Sequence, residues 1–334
     1  ISMYSTSTSI GNSKYYKGFD VLKFGLAILI VAVHTKLFEE FPDFHYFFGI
    51  FCSCAIPTFF AVSSFLFMKR LELTTGNADA KRVLLKTVKR LFFIFGIWYL
   101  LMLPMSYARF WETATLKESI YALFFSCSFN GYWFFKALII NTILLYLFRK
   151  GKALTMLSIF GLLIYLFWAY NYQYHYVKWS ISPYYSFFYH IFAFCIGALY
   201  AKKQWLSTST VPALIMLFIA CTILASIKDF NPVGRILYPI ILLPLFSRLS
   251  FTSITTETCR KFRQYSILFY VMQFVLIWIY DLACSNYLFE YSSLSFLNFS
   301  VVRFGLITTA LFMFSRLFLY LEESKNIAYL KLMH

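Results

Sequence analysis

The chain has 334 residues, of which 60% are hydrophobic, 22% aromatic and 13% charged. A water-soluble domain holds roughly 45–50% apolar and about 25% charged residues, so this composition excludes a soluble globular protein and indicates a polytopic membrane protein. The net charge of +16 does not signal nucleic acid, because the basic residues fall in short clusters between apolar runs and no soluble aromatic–basic domain is left to carry such binding.

Residues 1–17 are rich in Ser and Thr and end on Lys14 and Lys17. No small-residue cleavage site follows, so residues 18–38 are expected to act as an uncleaved signal anchor. The first apolar run, FDVLKFGLAILIVAVHTKLF (19–38), carries Asp20, Lys23 and His34. An ionisable group inside a bilayer is costly and marks a functional site by default. Eleven helical steps close about three turns, so Lys23 and His34 share a face roughly 16 Å apart along the axis, with Asp20 a near-turn before Lys23. Such a stripe could anchor a long substrate at one membrane face and react with its tip near the other. Imidazole suits general-base work near neutral pH. The competing readings are a histidine hydrogen-bonded between helices, a snorkelling lysine, and an aspartate that is only its ion partner.

The second run, 45–68, holds CSCAIPTFFAVSSFLF (52–67), where Pro57 is expected to kink the helix and Ser63 and Ser64 to bond or pack across helices. The segment 69–90 is expected to be the most basic loop, reading either as a topology determinant at anionic lipid or as an anchor for a polyanionic cofactor. After a run at 91–108, residues 109–130 form the longest polar connection, an interfacial amphipathic helix or a roof over an acceptor site. FNGYWFFKAL (129–138) opens the next run with Trp133, a belt residue or a site residue, and with Lys136, which needs a partner or a cavity. Runs at 153–171, 183–201, 211–227, 234–250, 265–283 and 299–320 complete the series. Of these, 234–250 is interrupted by Pro239 and Pro244, and 265–283 contains the polar Gln273.

The expected fold is therefore an all-α polytopic membrane helix bundle of about ten transmembrane helices. Basic clusters recur after every second run, which places both termini in the cytoplasm by the positive-inside rule. The seven Cys are scattered and supply no metal-site spacing and no convincing disulfide. No internal repeat of the transporter kind is visible.

In order and spacing these segments resemble the membrane acyltransferase-3 family, which includes bacterial O-acetyltransferases of surface polysaccharides. FDVLKFGLAILIVAVH resembles its first span, with Lys23 at the basic position and His34 at the closing histidine. IPTFFAVSSFLF (56–67), KTVKRL (86–91), WFFKAL (133–138) and FAFCIGALYAKK (192–203) resemble later segments. Three departures stand out: Lys23 replaces an Arg, Ser64 a Gly, and Gln273 a His.

The resemblance implies a transmembrane domain over 18–320 between cytoplasmic tails 1–17 and 321–334, in the inner (cytoplasmic) membrane. It implies acyl transfer, acetyl above all, from acetyl-CoA to a hydroxyl. His34 would be the general base, and Asp20 would orient Lys23. Lys23, Lys86, Lys89 and Arg90 would hold the coenzyme A phosphates. Trp133, Ser63, Lys136 and Gln273 would meet substrate. No metal is called for. The implied partners are a glycan or lipid-linked sugar acceptor, membrane lipids and, as an option, a second copy in a homo-oligomer. The competing class is a transporter or flippase of lipid-linked or sugar substrates; a polytopic scaffold or sensor is the third.

Overall fold

The structure is a computed structural model that describes residues 15–106, 115–116, 133–174, 185–249, 251–284, 296–297 and 299–325. Among the described residues the regular structure is helical and no strand occurs. The long helices are α1 (Lys17–His34), α2 (Pro42–Cys52), α3 (Ala55–Glu72), α4 (Asn77–Leu101), α5 (Trp133–Phe148), α6 (Gly151–Tyr174), α7 (Phe187–Lys203), α8 (Val211–Ser226), α9 (Asn231–Arg248), α10 (Thr256–Ala283) and α11 (Ser300–Lys325). Each apolar run of the sequence overlaps one of them, except 45–68, which is divided between α2 and α3. Among the described residues five helical stretches are long and apolar enough to cross a membrane: Pro42–Glu72, Gly151–Asn171, Lys228–Arg248, Thr256–Ala283 and Ser300–Ser324. α5 and α8 are shorter apolar helices. The connection at 109–130 lies outside the described residues except for 115–116.

Three sequence expectations change locally. The run 45–68 is not one helix kinked at Pro57. It breaks at Ser53 and Cys54, and Pro57 falls in the first turn of α3, where a missing N–H costs nothing because those donors have no intrahelical partner. The basic segment 69–90 is not a loop: it is the end of α3 and the first half of α4, joined by a short turn. Each arm carries an i,i+3 pair of its own, Lys69–Glu72 (2.8 Å) at the end of α3 and Asp79–Arg82 (3.4 Å) at the start of α4. Finally, Pro239 and Pro244 leave α9 a single helix. Pro244 has no N–H for the Ile240 carbonyl, and the indole Nε1 of Trp205 donates to that carbonyl at 3.2 Å. A side chain thus replaces the missing helical bond, which is how prolines persist inside membrane helices.

α1 is the inner helix. It packs against α2, α3, α9, α10 and α11, and buries Phe19, Leu22, Leu26, Ala27, Ile30 and Val31. Ring contacts seal the α1–α10 seam, with Phe24 stacked on Phe262 at 5.0 Å and edge-on to Phe269 at 5.4 Å. The six described cysteines are free and buried, as small apolar fillers would be.

Helices α3 and α7 meet at backbone distance. A Cβ at Gly197 would fall on the Ala61 carbonyl oxygen and the Ser64 hydroxyl. Buried Ser64, whose hydroxyl donates to the Ala61 carbonyl at 2.9 Å, faces this glycine. Small residues let membrane helices approach this closely. Gly197→Ala is therefore expected to cost about 3 kcal/mol or more, at the upper end of overpacking effects because backbone cannot rotate away. Gly25→Ala is the control: a Cβ there meets nothing within 4 Å, so alanine should be neutral or stabilising. Thermal unfolding of the two detergent-purified variants checks this, and equal melting temperatures would disprove the tight α3–α7 contact.

Candidate functional site

α1 carries a polar group at each end. At its start, Lys17 donates to the Ile254 carbonyl at 2.8 Å and Asp20 is buried, accepting a hydrogen bond from the Tyr15 hydroxyl at 2.5 Å. Burial first, and then that hydrogen bond, push the Tyr15 phenol well above its usual range, so it stays a donor. One turn on, Lys23 is half-buried. Asp20, Arg263, Arg70 and Arg90 all stand close enough to act electrostatically on its ammonium, and Arg70 and Arg263 likewise act on each other. Four helices, α1, α3, α4 and α10, thus bring four cations together, with the Asp20 carboxylate beside Lys23. Like charges gathered this way repel one another. An arrangement of this kind is suited to a polyanion.

At the other end, His34 is the last residue of α1 and is exposed. The helix stops there because Thr35 takes over its carbonyls. The Thr35 hydroxyl bonds Val31 O at 2.9 Å and Ala32 O at 3.2 Å, and its N–H bonds Val31 O at 2.9 Å. The chain then turns through Lys36 (φ 52°) and Phe38 (φ 67°), left-handed positions that side chains of this size rarely adopt. Contacts hold the turn. Phe38 N–H donates to Ser300 Oγ at 2.8 Å, His45 Nδ1 meets Leu37 O at 2.8 Å, and the Glu40 carboxylate accepts from both the N–H and the hydroxyl of Ser300. Strained backbone fixed by its surroundings is a common feature of functional sites. The imidazole itself lies edge-on to Phe274 of α10, with ring centroids 4.7 Å apart. Adjacent to Phe274, Gln273 is fully buried. Its Nε2 donates to Tyr270 O at 3.0 Å, while its Oε1 has no hydrogen-bond partner among the described residues.

The Glu40 clamp makes a pH prediction. The Ser300 hydroxyl and then its N–H hold the Glu40 carboxyl below the usual carboxylate range. A depressed folded-state pKa means that the stabilisation is present above the ordinary carboxylate pKa and is lost as pH falls through the lower folded value. Wild type should therefore melt higher than Glu40→Gln at neutral pH, and the difference should shrink as pH falls below the ordinary glutamate value of about 4.3 and vanish once the lower folded value is passed. A difference that stays constant with pH would rule out the ionised clamp.

The remaining predicted site residues divide. Arg90 joins the cation cluster. Lys86 and Lys89 are exposed on α4 and are not among the groups acting on Lys23; Lys89 instead sits over the Phe93 ring at 5.7 Å. Asp20 belongs to the cation end, about 21 Å along the helix axis from His34. Trp133 is buried rather than placed in an exposed belt, and its ring is nearly parallel to that of His190 at 4.9 Å. Lys136 is half-buried one turn further along α5, and Ser63 is half-buried beside Ser64.

The sequence reading missed Arg70, Arg263, His190 and Arg235. The first two were counted only as orientation signals. His190 and Arg235 are ionisable groups inside apolar runs, the same signal that singled out His34.

With this geometry in place, comparison with known proteins is informative at one level. Neither a curated protein nor a solved structure matches the chain. A family model described as an acyltransferase domain matches residues 16–320, which spans both ends of α1 and every helix around them. The chain belongs to the acyltransferase-3 family of proteins.

Proposed function

We propose that this protein moves an acyl group, acetyl in the first instance, from acetyl-CoA to a hydroxyl of a cell-surface glycan or lipid-linked sugar. In this reading the chain lies in the inner membrane with about ten spans and both termini in the cytoplasm. The observation that carries the proposal is the layout of α1, with a cation cluster around Lys23 at one end and exposed His34 at the other, in a chain matched by an acyltransferase family over residues 16–320.

Coenzyme A has several phosphate charges on one end of a long, thin arm. Lys23, Arg70, Arg90 and Arg263 would hold the phosphates by charge-assisted hydrogen bonds, relieving their mutual repulsion. Asp20 and Tyr15 would keep Lys23 in place. The arm would run along α1, whose rise from Lys23 to His34 is about 16 Å, and bring the thioester to the imidazole. His34 would take the proton from the acceptor hydroxyl as its oxygen attacks the carbonyl carbon. The carbon–sulfur bond breaks and coenzyme A leaves as a thiolate. With a thiol pKa of about 8.5, that leaving group needs no separate acid. Gln273, beside the Phe274 that touches His34, replaces the histidine of many relatives. Its amide oxygen could accept a hydrogen bond but could not relay a proton, so His34 acts as the sole base.

Acetyl-CoA alone should raise the melting temperature of the detergent-purified protein, because a ligand that binds only the folded state stabilises it, by about 2.7 kcal/mol at a hundredfold excess over Kd. Labelled acetyl groups should then appear on a sugar acceptor. No shift at millimolar acetyl-CoA would reject the proposal and favour transport.

A further inference from the structure

The second polar feature of the fold is a cavity of about 450 Å³, counted with its open mouth, between α3, α6, α7 and α9. Arg235, His190, Tyr165, Tyr189, Ser53 and Pro239 are among its lining residues. Most of its polar groups are already engaged. The Tyr165 hydroxyl donates to Pro232 O at 3.1 Å and the Ser53 hydroxyl to Ile50 O at 2.6 Å. His190 is buried, its ring nearly parallel to Phe60 at 4.6 Å and to Trp133 at 4.9 Å. Tyr165 and Tyr189 pack together at 4.7 Å.

Arg235 is different. Among the described residues none gives its guanidinium a hydrogen bond or an ion pair, and its Nε is buried without a partner. A permanently charged group facing a cavity without a counter-ion is unfavourable, and the planar fork of arginine matches an oxyanion. The helix ladder is also broken beside it. Pro239 has no N–H to return to the Arg235 carbonyl, so the guanidinium donor and a carbonyl acceptor of one residue both lack helical partners.

The position of the cavity relates it to His34. Arg70 of α3 acts on Lys23 of α1, and His34 is eleven residues beyond Lys23. Counting back the same rise along α3, about 16 Å, reaches Phe59, close to the cavity residue Pro57. A series of rings runs from the cavity towards that level, His190 to Phe60, Phe60 to Phe134 at 4.7 Å and Phe134 to Tyr270 at 5.0 Å, and Tyr270 lies one turn of α10 before Phe274, which touches His34.

We infer that this cavity binds a carboxylate or phosphate group through Arg235, with the tyrosines packing against the apolar face of the molecule that carries it. If the acyl-transfer reading holds, the anion belongs to an acidic sugar or sugar phosphate of the acceptor, held at the level of His34. The inference rests on that reading only for this last assignment. The other source of the same chemistry is the headgroup of an anionic phospholipid.

The test uses the full chain purified in neutral detergent, as wild type, Arg235→Gln and Arg235→Lys, with thermal unfolding as the readout. Probes are glucuronate, glycerol 3-phosphate and uncharged glucose, with nanodiscs of phosphatidylglycerol or phosphatidylcholine as a separate arm. Stabilisation by an anionic probe but not by glucose, weakened at least tenfold in apparent affinity by Arg235→Gln and less by Arg235→Lys, supports the site. Response to the soluble anions assigns it to the acceptor, and response only to phosphatidylglycerol assigns it to lipid. No anion response, or one that Arg235→Gln leaves intact, overturns it. Acetyl-CoA is the control in every sample. If its stabilisation persists in Arg235→Gln, the variant is folded; if it is missing even from wild type, the acyl-transfer reading fails independently of the anion result.

Discussion

Replacing His34 by alanine is expected to lower acyl transfer by about 10²- to 10⁴-fold, the usual contribution of a positioned general base. The fold should survive the change. The end of α1 is set by the Thr35 hydroxyl and N–H bonding Val31 and Ala32, not by the imidazole. The imidazole's edge-on packing against Phe274 contributes about 1 kcal/mol at most in its exposed setting. Binding of acetyl-CoA should also survive, because its phosphates would sit about 16 Å away at the other end of the helix. The decisive comparison is therefore kcat against donor-induced stabilisation in the same preparation. Abolished turnover with an intact thermal response to acetyl-CoA places His34 at the reacting atoms. Normal turnover in His34→Ala would remove it from the mechanism.

The second large effect is expected at the opposite end. Neutralising Arg70 and Arg263 together, as Arg70→Gln/Arg263→Gln, should raise the KM for the acyl donor at least about 100-fold. Each charge-assisted hydrogen bond to a phosphate contributes about 1.5–3 kcal/mol, and two neighbours in one cluster need not add fully. The KM for the acceptor should change little. The free protein supplies a second signature. Arg70 and Arg263 act on Lys23 and on each other, so removing two of these like charges relieves repulsion. The double variant should melt no lower than wild type in the absence of donor. Lys86→Ala/Lys89→Ala, on the exposed face of α4, should shift the donor KM by only a few-fold. If the lysine pair proves the more damaging, the phosphates lie on the α4 surface and not in the cluster.

In the proposed mechanism recognition and chemistry would be separated by the length of α1. Cations of α3, α4 and α10 surround Lys23 near its start, and His34 sits where a strained turn is pinned to α11 through Ser300. A substrate with its charge at one end of a flexible arm and its reactive bond at the other fits that separation.

How much of this was legible in the chain follows from what each signal measures. Apolar runs report the cost of burying backbone and charge in lipid, so helix existence could be read from runs of the right length, and every run but 45–68, which is split in two, meets a single long helix. The face shared by Asp20, Lys23 and His34 is a local property of helical periodicity, so their placement on α1 was legible too. The turn at Ser53 and Cys54 was not, because proline marks where a helix can start as readily as where it bends. The rescue of the Ile240 carbonyl by Trp205, 35 residues away in sequence, could not be read either.

By itself, then, the sequence determined a helical membrane chain with a lysine and a histidine on one face of its first helix. Only the tertiary structure decided which of the thirty Lys and Arg residues gather around Lys23. Arg70 and Arg263 are 193 positions apart (263 − 70) and meet because α3 and α10 both pack on α1. The same packing turned the α1–α2 connection back on Ser300 and opened a cavity around Arg235, while Lys86 and Lys89 stay exposed on α4. Charge and hydropathy along a chain specify which segments leave water. Which cations share a site depends on contacts between helices remote in sequence, and no local pattern encodes those.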